Sequence, residues 1–389
     1  MMNQLQTRAL RGELVSARDE AVVISLIVSA FVSFYALCAV GAAVVLYLCF
    51  SGRAKELIVT IPGAKALVGL GALSIVVSAV YGKDMQIVIA IGMAMALLLF
   101  LYLRSVMTNA LFDAALDWAC AASFFSVAVA GLQMFRWYGV IAEFRTDSVF
   151  LNPNYFAAMM EMVTLIALFR LLHAKKAKRI AFYIAVIFSS VLGVLFSGCR
   201  TALVVIGVSV PVLLVLLRKW KLVGLYGGLV ALAAAAWLAI GFELPRWDAI
   251  DGDLTLRLSI WRTAAAGFTQ TPLFGQGCMA YEHIYPLFGG AQTTHAHNLM
   301  LDCLLDFGLV GCSLALVYFG RNVGSLWFVY VDDVNRSRAA LSLALVFSVL
   351  VHGIVDTTVL WPQTGLLIGL VLACPIRRLS PLPSSSEKG

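Results

Sequence analysis

Two arginines stand where a fixed positive charge could bind a phosphate group. Arg200 follows a tight turn between two apolar runs, and Arg257 stands four residues before Trp261 in a more polar segment. The planar guanidinium suits two-point recognition of phosphate oxygens. A structural interpretation is also open: Arg200 could reach towards lipid phosphates, and Arg257 could lie on an amphipathic helix at the membrane surface. The local sequence does not choose between these interpretations.

Two histidines precede the apolar run 298–320. Histidine suits the role of general base at neutral pH, because imidazole ordinarily titrates at about 6.5. Metal binding by His295 and His297 is the alternative, but a His-x-His pair is a weak metal pattern, and no third ligand stands at a suitable spacing. We therefore predict a general base at His297 and no metal ion, and we leave the role of His295 open.

Polar side chains recur at the start of that run. Asn298, Asp302 and Asp306 stand four residues apart, so a helix would place them on one face. Carboxylates inside a span usually face a cavity or a polar partner. Gly308 and Gly311 follow Asp306 and would let a neighbouring helix approach closely.

Other polar residues lie in different apolar runs. His352 and Asp356 also stand four residues apart, and we favour a hydrogen-bonded structural pair over a pair that orients the site. Asn152 and Asn154 open another run, where either could cap a helix. Glu161, two turns deeper, is a buried carboxylate that needs a partner.

The composition indicates which elements position these residues. The chain has 389 residues, 61% hydrophobic and 13% charged, against roughly 45–50% and ~25% in soluble domains. These values exclude a soluble globular enzyme, a disordered protein and a fibrous repeat, and the long apolar runs exclude a β-barrel. We predict an all-α polytopic membrane bundle. The net charge of +7 lies mainly in short loops, so we expect no nucleic-acid partner.

Apolar runs of about 20 residues mark the candidate spans. They cover 64–81, 85–103, 110–132, 154–172, 179–197, 201–217, 220–241, 298–320, 338–355 and 357–374. The run 21–50 is too long for one straight spanning helix, so we predict a re-entrant or tightly turned pair there. The predicted total is eleven or twelve membrane helices.

Lysine and arginine predict the orientation of these helices. If the C-terminal tail is cytoplasmic, most Lys and Arg residues, including Arg170 and Arg338, fall on the cytoplasmic side, as is usual for membrane proteins. The largest polar loop, 242–297, then faces outward. Chemistry is expected on that outer face, because long loops are usually functional.

The order of these motifs resembles the O-antigen ligase and polymerase superfamily of bacterial envelope proteins. The resemblance is carried by the Ser197…Arg200 turn, by Arg257-x-x-x-Trp261 followed by Pro272, Gly275 and Gly277, and by His297-Asn298 followed by Asp306, Gly308 and Gly311. Asn152-Pro153 and the pair His352 and Asp356 also look like family features. Together these motifs span about residues 150–360, and the N-terminal third matches only in hydropathy.

The resemblance implies a GT-C-like bundle in three parts. Residues 1–149 would form N-terminal membrane helices, and 150–376 a ligase- or polymerase-like core that includes the outer loop 242–297. Residues 377–389 would form a cytoplasmic tail, which we expect to be disordered. The protein would lie in the bacterial cytoplasmic (inner) membrane.

The resemblance also implies a reaction. Members of the superfamily transfer a glycan from undecaprenyl pyrophosphate to an acceptor hydroxyl on lipid A-core or on another lipid-linked glycan. They are thought to use no metal or nucleotide sugar, so we expect an inverting, metal-independent transfer without a cofactor. By position, Arg200 and Arg257 match the pyrophosphate-contacting arginines and His297 the catalytic histidine. The supporting residues would be Asn152, Asn298, Asp306, His352 and Asp356.

Other functions stay open. Within the superfamily, a polysaccharide polymerase is the alternative to a ligase, and no sequence marker separates the two. A transporter of lipid-linked oligosaccharide or solute belongs to a different class, which usually shows paired discontinuous helices and ionisable groups at the midplane. A non-catalytic scaffold of envelope assembly is a third class.

Overall fold

The computed structural model is all-α, as predicted. It describes residues 16–82, 84–141, 144–240, 250–332 and 335–375. Within these residues fifteen α-helices form. In chain order they are α1 Ala17–Val32, α2 Phe34–Phe50, α3 Arg53–Thr60, α4 Ala64–Tyr81, α5 Asp84–Val106, α6 Asn109–Trp137, α7 Pro153–His173, α8 Ala177–Ser197, α9 Arg200–Leu216, α10 Trp220–Ile240, α11 Ile250–Gln270, α12 Tyr281–Ile284, α13 Leu299–Asp332, α14 Arg336–His352 and α15 Pro362–Leu372. Short 3-10 helices cover Tyr285–Phe288 and Thr358–Leu360.

The predicted outer loop and tail are described only in part. Positions 242–249 and the tail 377–389 lie outside the described residues. The remainder of the predicted loop includes two helices, α11 and α12, so most of it is not extended loop.

The chain is a multi-pass membrane protein. Six of the described helices are long and apolar enough to cross a membrane, namely α4, α5, α6, α7, α8 and α13. The pair α2 and α3, bent by 85°, makes seven if it is one broken span. By this criterion the count is lower than the predicted eleven or twelve, because α1, α9, α14, α15 and the apolar part of α10 are all shorter than 18 residues.

The run 21–50 consists of two helices, as the length argument predicts. Ser33 between them has an extended backbone, with φ of −166°, and its hydroxyl accepts the Tyr35 N–H at 3.2 Å to cap α2. The Ser33 hydroxyl thus satisfies one of the N–H groups that the first turn of α2 leaves without a partner inside the helix.

The central helix of the bundle is α7. In its apolar window, 72% of residues are buried, the largest share among the candidate spans, and it packs against α6, α8, α9 and α14. A helix buried on all sides can carry polar groups only where partners meet them. Asn154, Glu161 and Arg170 stand near its start, in its middle and near its end.

An ion-pair network ties α7 to its neighbours at the end that the charge pattern assigns to the cytoplasm. Arg170 donates two hydrogen bonds to the Asp117 carboxylate, at 2.7 and 2.8 Å. Asp113 accepts a hydrogen bond from Arg338 at 2.6 Å and lies 3.3 Å from Arg170. The two carboxylates of α6 thus bridge α7 and α14, and Arg170 and Arg338 lie at the same end of the bundle, as predicted for residues of one membrane face.

The helix α13 is broken at Gly308, where the sequence predicts a continuous span. Gly308 has φ of 62° and ψ of −171°, which are not helical values. The segment 271–277, called the Gly275 turn below, fits into this break. Leu309 N–H donates to the Pro272 carbonyl, and Gln276 N–H donates to the Leu305 carbonyl, both at 2.9 Å. These bonds satisfy groups that the broken helix would otherwise leave unpaired within the membrane.

Glycine is required at the break because the two backbones touch. A Cβ at Gly308 would lie 2.4 Å from the Leu273 carbonyl oxygen. The predicted close approach at this glycine is therefore confirmed, but the neighbour is a turn and not another helix.

We expect Gly308→Ala to destabilise the protein, because the added methyl group overlaps the Gly275 turn and alanine disfavours a positive φ. Overpacking of this kind costs about 1–3 kcal/mol. Gly324→Ala in the same helix is the matched control, since its Cβ would meet no atom within 4 Å. The measurement is the midpoint of thermal unfolding in detergent. Equal midpoints for Gly308→Ala and the wild type would contradict the packing described for the break.

Candidate active site

The site forms where the loop before α13 meets the loop after α14. Asn298 holds the two loops together: its Nδ2 donates to the Ile354 carbonyl at 2.8 Å, and its Oδ1 accepts the Leu301 N–H at 3.0 Å. Leu299 N–H also donates to the Gly353 carbonyl at 2.7 Å. Asn298 therefore caps α13 and positions the neighbouring His297 at once.

His297 faces the carboxylate of Asp356. Its Nδ1 lies 3.3 Å from Asp356 Oδ1, and its Nε2 lies 3.3 Å from the Thr293 hydroxyl. An ionised carboxylate only accepts hydrogen bonds, so the imidazole proton lies on Nδ1 and leaves a lone pair on Nε2. The His297 side chain is 24% exposed, against 3% for Asp356, so the imidazole is the more accessible of the two groups.

The backbone of His297 is held in an uncommon conformation. Its φ is 48°, in the left-handed region, and its carbonyl accepts a hydrogen bond from Trp261 Nε1 at 3.3 Å. Such conformations cost about 1–3 kcal/mol, and they are found at functional sites where surrounding contacts maintain them.

Asp356 is buried but well supplied with donors. Asn154 Nδ2 donates to Oδ2 at 2.7 Å, and the Thr357 N–H donates to Oδ1 at 2.8 Å. Burial opposes ionisation of this carboxyl, but the hydrogen bond from His297 and the nearby histidines outweigh it and hold the pKa of Asp356 well below its usual value. Asp356 is therefore an anion that can orient and stabilise the His297 imidazole.

Asp302 and Asp306, the two acidic residues of the predicted polar face of α13, do not contact His297 through a hydrogen bond and have other partners. Asp302 accepts the Ala296 N–H at 2.6 Å, and Asp306 accepts the N–H groups of Met279 and Ala280 at 3.1 and 2.9 Å. Asp306 therefore anchors the chain just after the Gly275 turn. Its predicted contribution to the site is indirect.

His352 does not form the predicted hydrogen-bonded pair with Asp356. Its Nδ1 lies 2.7 Å from Glu161 Oε2, and the Ser348 hydroxyl donates to the other oxygen of Glu161. The pairing arises because α7 and α14 pack together, and it gives Glu161 the partner that the sequence requires. Asp356 is thereby left to contact the site, which is the interpretation that the sequence did not favour.

Asn152, predicted to support the site, instead forms the helix cap that was predicted for either Asn152 or Asn154. Asn152 Oδ1 accepts the Asn154 N–H at 2.8 Å and caps α7. The contact with Asp356 is made by Asn154, which was not among the predicted site residues.

The predicted arginines lie at this end of the bundle. Arg257 donates through a terminal guanidinium nitrogen to the carbonyl of Val355, next to Asp356. Arg200 begins α9, directly after the turn that follows α8. Arg145, missed by sequence reasoning, joins this turn to Asn154: its Nε donates to the Ser197 carbonyl at 2.8 Å, and its terminal nitrogen to Asn154 Oδ1 at 2.6 Å.

His295 packs directly against His297. The two ring centres are 4.1 Å apart, and His295 Nδ1 accepts the His297 N–H at 3.2 Å. Burial, followed by the charges of His297 and Arg257, lowers the pKa of His295 to about 4, although Asp356 opposes this shift. His295 is therefore a neutral acceptor at physiological pH.

The folded chain supplies the third metal ligand that the sequence lacks. His295, His297 and Asp356 each offer one donor atom, and these three atoms lie within 4.8 Å of one another. Two histidines and a carboxylate form a donor set that zinc and non-haem iron accept. Asp356 arrives from a loop distant in sequence, so spacing along the chain could not indicate this donor.

Comparison with known families gives a match over part of the chain. The model of the family described as O-antigen ligase matches residues 184–316. Residues 184–316, about a third of the chain, thus match an O-antigen ligase domain. No curated protein matches the chain. The domain includes Arg200, Arg257 and His297, whereas Asn154 and Asp356 lie outside the matched residues.

The pH dependence of stability tests the environment of His295. Between about pH 6.5 and 4 the unfolded chain binds a proton that the folded site lacks, so stability should fall as pH drops through this window. The loss is on the order of 2–3 kcal/mol. His295→Asn, whose Oδ1 can accept the same N–H, should reduce this dependence. The measurement is thermal unfolding in detergent from pH 7.5 to 4. Identical pH dependence in both proteins would contradict a neutral, half-buried His295.

Proposed function

We propose that this protein is a glycosyltransferase that moves a glycan from undecaprenyl pyrophosphate to an acceptor hydroxyl at the outer face of the cytoplasmic membrane. The observation that carries the proposal is the His297–Asp356 pair beside Arg257, with His297 and Arg257 inside the O-antigen ligase domain. This combination provides a base and a cation to the same reacting centre. An O-antigen ligase-like transfer uses both.

The His297 imidazole acts as the base. Nε2 takes the proton of the acceptor hydroxyl as the oxygen forms a bond to the anomeric carbon, and the bond from that carbon to the pyrophosphate oxygen breaks with its electron pair. Attack from the side opposite the leaving group inverts the anomeric configuration. Asp356 stabilises the imidazolium that forms, because its carboxylate lies 3.3 Å from Nδ1.

Arg200 and Arg257 stabilise the pyrophosphate as it leaves. Negative charge grows on the leaving group in the transition state, so fixed guanidinium groups there lower the barrier more than they strengthen ground-state binding. The donor is already activated by its pyrophosphate bond, and the transfer therefore needs no nucleotide. The acceptor is a lipid or glycan hydroxyl presented at the same membrane face.

A metal ion at the three donor atoms and a base at His297 exclude each other. The ion would take the lone pair of the His297 nitrogen that faces Asp356, which forces the proton onto Nε2 and removes the base. We therefore propose a metal-independent reaction. His297 serves as the base, His295 accepts a hydrogen bond from the His297 N–H, and Asp356 orients the His297 imidazole.

An outward site is supported by the charge distribution. Asn154 and Arg170 stand about 24 Å apart along α7. The ion-pair network of Arg170 and Arg338 belongs to the lysine- and arginine-rich side, and the contacts of Asn154 belong to the opposite side. Lipid-linked glycans presented at the outer face would meet the His297 end of the bundle.

We expect His297→Ala to lower kcat for glycan transfer by about 10²–10⁴-fold, the usual contribution of a general base. The assay uses purified protein, an undecaprenyl-pyrophosphate-linked glycan and lipid A-core, with products separated by mass. His173→Ala is the matched control, because this histidine lies at the other end of α7 and contacts the Phe169 carbonyl.

The same assay separates the competing interpretations. Full activity of His297→Ala would eliminate the assignment of the base, and loss of wild-type activity in chelator would favour a bound metal. A ladder of longer lipid-linked glycans would identify a polymerase. Movement of the donor lipid across vesicles without product would identify a transporter.

Arg257→Ala and Arg200→Ala should each lower kcat about 10²–10³-fold, as loss of one oxyanion donor does in other enzymes. Arg262→Ala is the control, because this arginine is exposed on the same helix as Arg257. Retention of wild-type kcat by both variants, with protein of normal melting temperature, would remove the arginines from the mechanism.

A further inference from the structure

Arg145 lies between two groups of residues to which the proposed reaction assigns separate roles. It belongs to the loop that joins α6 to α7 and is half-buried. Its Nε donates to the Ser197 carbonyl at 2.8 Å, and a terminal nitrogen donates to Asn154 Oδ1 at 2.6 Å. A single planar guanidinium therefore holds the end of α8 and the start of α7 in a fixed relation.

The contact with Asn154 determines which way its amide points. Because Oδ1 accepts from Arg145, the NH2 group must face Asp356, where Nδ2 donates to Oδ2 at 2.7 Å. The reversed amide would place an oxygen against the carboxylate and an NH2 group against the guanidinium, and both contacts would be repulsive. The Asp356 carboxylate in turn accepts from His297. A continuous hydrogen-bonded chain thus runs from Arg145 to His297.

The contact with Ser197 holds the turn that leads to Arg200. Gly198 in this turn has φ of 62°, and the Arg145 side chain lies 3.3 Å from where a Cβ of Gly198 would be. Cys199 N–H donates to the Ser197 hydroxyl at 3.1 Å, so the turn is also closed by a hydrogen bond of its own. Arg145 therefore packs on the backbone from which Arg200 extends.

We propose that Arg145 is a positioning residue that aligns the base His297, through Asn154 and Asp356, with the pyrophosphate-binding turn at Arg200. This inference rests on the proposed function for its kinetic consequences. The hydrogen-bonded chain itself does not depend on that function and can be tested without turnover.

Three variants test the individual contacts of this hydrogen-bonded chain. Arg145→Gln removes the positive charge and the planar set of N–H donors. Arg145→Lys keeps the charge but cannot hold two acceptors in one plane. Asn154→Asp keeps the acceptor for Arg145 but replaces the donor that faces Asp356 by a second carboxylate. Arg136→Gln is the control, because this exposed arginine stacks on Trp137 and does not belong to the hydrogen-bonded chain from Arg145 to His297.

The kinetic result expected for Arg145→Gln and Arg145→Lys is a fall in kcat of about 10- to 100-fold, the usual cost of losing an outer hydrogen-bond partner. The acid limb of the kcat/KM profile should move to higher pH in Arg145→Gln, since the positive charge linked to Asp356 through Asn154 is lost and the carboxylate then attracts the imidazolium more strongly. Asn154→Asp should shift the limb in the same direction. A purely structural arginine would change the melting temperature without moving the pH profile.

Histidine NMR gives a readout that needs no turnover. With ¹⁵N-labelled histidine in detergent, the chain has five imidazoles, and the His297 signal is the one lost in His297→Ala. We expect a proton on Nδ1 in the wild type, and partial loss of this tautomer with a higher titration midpoint in Arg145→Gln and Asn154→Asp. Unchanged His297 signals in folded Arg145→Gln would overturn the inference. If these signals change but the wild type transfers no glycan, the proposed function fails, whereas the inferred hydrogen-bonded chain from Arg145 to His297 is supported.

Discussion

The site depends on the cost of burying the Asp356 carboxylate. An ionised carboxylate away from water must be surrounded by donors, or several kcal/mol of solvation are lost without replacement. Its donors come from Asn154 at the start of α7, His297 before α13 and the backbone of Thr357. Because these elements are far apart in sequence, satisfying one charge requires their ends to meet. The same requirement leaves the His297 imidazole oriented, with Nε2 directed away from the carboxylate.

A second constraint acts on the backbone of α13. A helix broken at Gly308 within the membrane exposes backbone groups that no solvent can satisfy, and the Gly275 turn supplies their partners. Asp306 then accepts two N–H groups just beyond that turn. The chain from α11 to His297 is thereby attached to α13 at both ends. In this way a polar segment becomes rigid enough to carry a site.

Particular residues show where sequence reasoning succeeds and where it stops. The bounds of α4, Ala64–Tyr81, coincide with the predicted run 64–81, because hydropathy over one helix length is a local property. Residue type and order along the chain single out His297, Arg200 and Arg257, whose roles stay predictions. The break at Gly308 was missed, since a glycine in an apolar run looks the same whether or not a second backbone approaches it. Arg145 carries no local signal beyond that of a polar residue in a loop, and Asn154 none beyond that of a possible helix cap.

The amino-acid sequence is enough to identify an all-α membrane protein, to indicate where most of its long apolar helices begin, and to select residues that could act as base or bind phosphate. These properties follow from side-chain chemistry and from a helical period that each segment contains within itself. The packing of distant elements sets the pairing of His297 with Asp356 rather than with Asp302 or Asp306, and that of His352 with Glu161. Spacing along one helix brings residues to a common face, but the partner of a buried charge is set by which other elements pack against that face.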